Sequence, residues 1–203
     1  GEPWRPVNAT ATTGENVTLR TALAQSKNTV TARLTQDVGP ARVVRTAQSL
    51  GVNTSPLKAV PSVGLGTSDV TLLEMVSAYA AIANSGTHQE PLVITQIADS
   101  TGQIVAEFSS ASNNALSDTT ARTLIDMMRG VIDEGTGRAV RSRFGLESDL
   151  IGKTGTTQNG ADGWFIMAHP ELAAGSWVGF NDPRVTFRSN YWGQGAHTGL
   201  YVV

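Results

Sequence analysis

The chain contains no cysteine, which removes disulfides and thiolate chemistry from consideration. Aromatic residues make up 6% and charged residues 16% of the 203, a lightly charged composition of the soluble globular type. Fifteen basic and seventeen acidic side chains leave a formal charge of −2. With no basic stripe to release counterions, nucleic acid is excluded as a partner. No apolar run approaches the roughly 20 residues of a membrane-spanning helix, and no signal-peptide pattern is visible. His88, His169 and His197 stand far apart without metal-ligand spacing, and no His-Glu-x-x-His occurs. They read as surface or loop residues, and neither a metal nor an organic cofactor is indicated.

What is present is ordered from helices to strands. The length suits one domain with a sizeable core, or two small ones. A helix is expected from about Thr18 to Gln25, with Leu19, Ala22 and Leu23 inward. A second follows Ser26-Lys27-Asn28, with Val30, Leu34 and Val38 inward and a stop at Gly39. Pro40 suits the first turn of a third helix, which ends near Gly51. Residues 52–67 read as a loop. Thr71-Leu72-Leu73-Glu74 has the form of a capping box and opens a helix running to Asn84-Ser85-Gly86. Segments 92–98 and 104–108 flank Ser100-Thr101-Gly102 as a hairpin. Ser117 caps a helix carrying Leu124, Ile125, Met128, Val131 and Ile132. Short strands follow at 149–157, 164–168 and 174–180, the last two joined by a turn at His169-Pro170-Glu171. Trp164, Phe165, Trp177 and Phe180 are expected in the sheet core. Helices first and an antiparallel meander last make the class α+β, an antiparallel sheet flanked by helices.

Chemistry concentrates at Ile151-Gly152-Lys153-Thr154-Gly155-Thr156-Thr157. One ammonium, several hydroxyls and a step without a side chain share a short strand, which suits a carboxylate lying against the backbone. A phosphate-loop reading fails, because the required glycine five residues before Gly152 is Glu147 and no continuous helix can follow. Ser26-Lys27-Asn28 forms an interhelix turn able to aim a hydroxyl and a carboxamide into a cleft, although serine and asparagine also cap helices. Ser55-Pro56-Leu57-Lys58 matches Ser-x-x-Lys in letters only, since Pro56 in a Gly/Pro loop denies the helical turn that would bring amine to hydroxyl. Glu74 and Asp182 are explained by capping and a turn.

Lys-Thr-Gly together with Ser-x-Asn is part of the signature of serine β-lactamases and penicillin-binding proteins. The chain resembles the later part of the transpeptidase domain of a class A (bifunctional) penicillin-binding protein. The resemblance rests on Trp4-Arg5-Pro6-Val7-Asn8, Thr18–Leu23 leading into Ser26-Lys27-Asn28, Gly64–Thr71 with Leu73-Glu74-Met75, Asp133-Glu134-Gly135-Thr136-Gly137, the Lys153 strand, and Trp177–Pro183. It implies the penicillin-binding protein/serine β-lactamase-like fold, incomplete at its N-terminal side. Residues 1–203 would then be a partial domain, because the family's Ser-x-x-Lys precedes the Ser-x-Asn turn and residues 1–25 hold no serine. A second departure is Gly193-Gln194-Gly195-Ala196-His197-Thr198, where relatives run apolar into a closing helix.

The function implied is that of a peptidoglycan D,D-transpeptidase working through a serine acyl-enzyme and binding β-lactams. Ser26 would relay a proton, Asn28 hold the substrate amide, and Lys153 supply positive potential and hold a proton near Ser26. Thr154 and Thr156 would bind the terminal carboxylate, the Thr156 N–H would be an oxyanion donor, and Gly155 and Thr157 would complete the binding strand. Partners implied are stem peptides, β-lactams, and the missing N-terminal half of the domain, either on the same chain or as an escort. The setting implied is the cell envelope, periplasmic or at the outer face of the inner membrane, anchored through other segments. A D-Ala-D-Ala carboxypeptidase, a β-lactamase and a non-catalytic stem-peptide-binding or scaffold module are the alternatives.

Overall fold

The computed structural model describes residues 5–9, 14, 16–157, 160–182 and 184–187. Trp4, Pro183, His197 and the segment 193–198 lie outside the described residues. Three helices open the chain: α1 (Leu19–Ala24), α2 (Asn28–Val38) and α3 (Pro40–Ser49). Thr18 caps α1 by accepting the Thr21 N–H, and Gly39, at φ +91°, separates α2 from the proline that starts α3. A 3-10 turn (Pro61–Leu65) precedes α4 (Leu72–Ala83), whose capping box between Thr71 and Glu74 is formed in both directions.

Strand β1 (Thr87–Gln89) leads to a hairpin of β2 (Gln96–Ala98) and β3 (Ile104–Glu107), and β4 (Ser112–Asn114) returns to pair with β1. Ser117 caps α5 (Asp118–Asp133), and the short α6 (Ala139–Ser142) follows. The chain then forms a three-stranded antiparallel sheet of β5 (Ile151–Thr156), β6 (Asp162–His169) and β7 (Leu172–Gly179), in that spatial order. The α+β class expected from the residue pattern is the one observed.

The core sits where α4 and α5 meet this sheet. Ile132 of α5 packs with Val140, Leu150 and Phe165, while Met128, one turn earlier, packs with Ile82, Ile151 and Ala168. Phe165 and Ala168 are an odd number of residues apart on β6 and face opposite ways. A single helix therefore grips β5 against both sides of the sheet. The other side of α5 receives α1: Ala24 is buried, and a Cβ at Gly135 would lie 2.2 Å from the Ala24 carbonyl oxygen. Only glycine permits that approach.

Five expectations need correction. Leu19, expected inward, is 51% exposed, and α1 buries the small residues Ala22 and Ala24, which let it settle close on α5. Leu34 and Val38 are 43% and 42% exposed, and α2 instead buries Ala32 and Thr35. It packs against the 3-10 turn so closely that a Cβ at Gly64 would lie 2.0 Å from Thr35 Oγ1, so small residues rather than an apolar stripe make the contact. His88 is not a surface residue. It is 4% exposed on β1, with Ser77 Oγ 3.1 Å from Nε2 and Asn113 Oδ1 3.1 Å from Nδ1. An amide oxygen only accepts, so Nδ1 donates to Asn113. Trp177 and Phe180 are exposed, leaving Phe165 as the aromatic residue buried in the sheet core. Lastly, the stretch 52–67 is not all loop, since it holds the 3-10 turn.

Candidate active site

The α1–α5–β5 stack decides which side chains meet. At the end of α1, Ser26 takes a left-handed conformation, φ +53°, uncommon for a residue with a Cβ. Two backbone hydrogen bonds hold it there, Ser26 N–H to Leu23 O at 3.1 Å and Lys27 N–H to Ala22 O at 2.9 Å. The strained turn directs the hydroxyl toward β5. Lys153, third residue of that strand, donates from Nζ to Ser26 Oγ at 2.8 Å, across 127 residues of sequence, and to the Thr154 carbonyl at 2.9 Å.

A second tie runs parallel to the first. Thr136 donates its N–H to Ala24 O at 3.0 Å and accepts the Thr154 hydroxyl at 2.7 Å. Thr136 thus couples the end of α1 to the Lys153 strand through its backbone and its side chain. The run Gly135-Thr136-Gly137 marks a tight backbone passage, yet nothing in its spacing discloses the Thr154 contact.

Asn28, first residue of α2, gives its carboxamide N–H to the Val7 carbonyl at 2.8 Å. Asn8 accepts the Thr29 N–H at 3.0 Å, so residues 7 and 8 lie along the start of α2 and hold the Asn28 side chain in place. Thr156, at the far end of β5, is exposed, and Thr157 follows it with its Oγ1 accepting the Asp162 N–H at 2.9 Å. Ser26, Lys153 and Thr154 are therefore brought into one hydrogen-bonded group. Asn28 stands two residues from it along the turn, and Gly155, Thr156 and Thr157 extend from it along the strand. Ser55 and Lys58 take no part: the Ser55 hydroxyl donates to Glu74 and Lys58 is exposed.

Burial pushes the Lys153 ammonium down from 10.5 to about 8. The amine can therefore gain or lose a proton near neutral pH while touching a hydroxyl, the property a proton-holding group needs. Carbon-13 NMR of the lysine ε-carbon should show Lys153 titrating near 8, and a midpoint above 10 would contradict the packing described. Because the folded value lies below the unfolded one, charge burial costs stability at pH below about 8. That cost is relieved as the pH rises from about 8 to 10.5, so this group makes the fold more stable across that window. No cluster of three or more histidine, aspartate or glutamate residues suited to a metal occurs among the described residues.

Residues 1–195 match the family model described as the penicillin binding protein transpeptidase domain. Penicillin-binding protein 1A of Aquifex aeolicus is 37% identical over 181 residues, covering 89% of this chain and 24% of that protein. Penicillin-binding protein 2D of Bacillus subtilis is 35% identical over 189 residues, covering 89% of this chain and 27% of its own length. The chain thus spans about a quarter of these curated relatives. Among solved structures, penicillin-binding protein 1A from Haemophilus influenzae superposes with a TM-score of 0.85 at 22% identity, over 98% of this chain and 35% of that one. The D,D-transpeptidase domain of a peptidoglycan glycosyltransferase from Eggerthella lenta gives 0.63 at 29% identity, over 76% of this chain and 45% of that one.

Proposed function

Because the chain belongs to the penicillin-binding protein transpeptidase family, with class A members among its relatives, we propose that it forms one wall of a D,D-transpeptidase site. The observation that carries this reading is the 2.8 Å bond from Lys153 to Ser26, made by the two motifs on which the family's chemistry depends. In the proposed reaction a serine hydroxyl attacks the carbonyl carbon of the penultimate D-alanine of a stem peptide. The C–N bond breaks, terminal D-alanine leaves with a proton, and an amine of a second stem takes the acyl group.

Ser26 relays the proton, since its hydroxyl can accept from Lys153 and donate onward. Lys153 holds a proton beside it and, when charged, attracts the terminal carboxylate. The Thr154 hydroxyl proton is turned to Thr136, so that hydroxyl meets the carboxylate only by rotating, whereas the Thr156 side chain is exposed. Asn28, steadied by Val7, lies at the amide of the stem, and the Thr156 N–H is one oxyanion donor. Gly155 leaves the strand open to a peptide.

The nucleophilic serine with its lysine partner, the second oxyanion donor and the remaining strands belong, on this reading, to a preceding part of the same domain. The protein then works at the outer face of a membrane, anchored outside this region, since no described helix is long and apolar enough to cross one. Intact mass spectrometry after incubation with benzylpenicillin tests the assignment. The full-length protein should gain one drug mass on a serine outside residues 1–203, and residues 1–203 alone should gain none. An adduct within these residues would move the nucleophile, and an unmodified full-length protein would end the functional reading.

A further inference from the structure

Past Gly155, the Lys153 strand runs over a cluster that the proposed chemistry does not use. Pleating and register place Lys153, Gly155, Trp164, Trp177 and Asp162 on one face of the sheet. The two indoles meet edge to face with centroids 6.5 Å apart. Both turn their N–H groups onto one oxygen of Asp162, Trp177 at 3.0 Å and Trp164 at 3.2 Å from Oδ2. The second oxygen, Oδ1, is buried and has no hydrogen-bond partner among the described residues.

Asp162 also closes the turn that follows the strand. Its N–H donates to Thr157 Oγ1 at 2.9 Å, and its carbonyl accepts the Thr157 N–H at 3.3 Å. A Cβ at Gly155 would lie 3.1 Å from Trp164 Cβ, so the glycine step rests directly on that tryptophan. A buried carboxylate oxygen without a donor is unfavourable, and stability alone gives no reason to place a carboxylate here. What this carboxylate does is gather an indole from each of two strands while its backbone brackets the residue after Thr156.

We propose that Asp162 is a positioning residue for the carboxylate-binding end of the Lys153 strand, holding Trp164 beneath Gly155 and Thr157 in its turn so that Thr156 keeps its place. The proposal rests on the roles given above to Lys153, Thr154 and Thr156. Its effect falls on capture of a carboxylate-bearing ligand rather than on proton transfer, because the Lys153–Ser26 bond is made upstream of Gly155 by other elements.

Saturation kinetics of benzylpenicillin acylation in the full-length protein separate the apparent dissociation constant from the maximal acylation rate constant. Asp162→Ala should raise the first about tenfold, the equivalent of one or two hydrogen bonds, and leave the second within about threefold. Asp162→Asn keeps an acceptor for the indoles and should restore the first to within about threefold of wild type. Trp177→Phe removes one donor but keeps a ring and should raise it about threefold to fivefold.

An unchanged dissociation constant in Asp162→Ala, a loss confined to the maximal rate, or an asparagine as poor as alanine would overturn the proposal. Should Asp162→Ala prove unfolded by circular dichroism, Trp177→Phe decides: a raised constant supports the proposal and a wild-type one overturns it. Lys153→Ala run alongside separates the layers. Normal acylation there removes the underlying reading, whereas an impaired Lys153→Ala beside a wild-type Asp162→Ala removes this inference alone.

Discussion

Lys153→Ala in the full-length protein should slow acylation by penicillin by about two to four orders of magnitude, the range for one acid–base or electrostatic contribution. The substitution removes the donor 2.8 Å from Ser26 Oγ, and with it the charge nearest the proposed carboxylate position. Folding should not suffer in proportion. The ammonium is held down to about 8 by burial, so its removal relieves a desolvation cost while forfeiting its hydrogen bonds to Ser26 and Thr154. The expected signature is thus a collapse of acylation with a nearly unchanged melting temperature. Lys153→Arg refines the result, because a guanidinium keeps the positive potential but cannot surrender a proton near neutral pH. It should retain ligand capture and still acylate slowly. Near-normal acylation by the alanine variant would refute the role given to this lysine.

The parts legible in the amino-acid order are those with local causes. Thr18, Thr71 with Glu74, and Ser117 mark helix starts because each cap is satisfied within three residues. The β2–β3 hairpin and the β5–β7 meander follow from alternation and turn residues. The β1–β4 pair has no such signal: each strand is three residues long, and the partner of Thr87 is Asn114. The four residues of α6 are likewise too few to show a period. The buried face of α2 is not legible in the sequence, because close approach there selects alanine, threonine and glycine, which form no apolar stripe.

The site divides along the same line. Ser26, Asn28 and Lys153 announce themselves by residue type, since an ammonium among glycines and hydroxyls is hard to explain otherwise. Thr136 and Asp162 do not. Their partners, Thr154 for the one and two indoles from different strands for the other, exist only after folding. Why the two motifs converge is also a property of packing. Met128 and Ile132 of α5 straddle β5 while Gly135 lets α1 settle on the same helix, so the Ser26 turn and Lys153 have one common support.

Glu74→Ala should be the most damaging change outside the site, costing about 3–5 kcal/mol, the range for breaking a buried charged hydrogen-bond network. The Glu74 carboxylate is 7% exposed and accepts both the N–H and the hydroxyl of Thr54, of Ser55 and of Thr71. It begins α4 and at the same time ties down the chain around Val52, itself buried. Glu74→Gln is no remedy, since its NH₂ would confront donors from Ser55 and Thr71 that need an acceptor. Burial alone would raise this carboxyl, but the hydrogen bonds from Ser55 and Thr54 outweigh it and hold it well below its ordinary 4.5. The sign of the pH dependence follows. The contribution is fully present above about 4.5, and it drains away below that as the unfolded state takes up the proton first. Chemical denaturation should therefore find wild type losing stability steeply in acid and Glu74→Ala losing it less steeply from a lower start. Amide exchange at Thr54 and Ser55 should quicken by about two to three orders of magnitude in the variant where opening governs it. A cost within about 1 kcal/mol, with the acid slope intact, would show that the capping box and loop hold without this carboxylate.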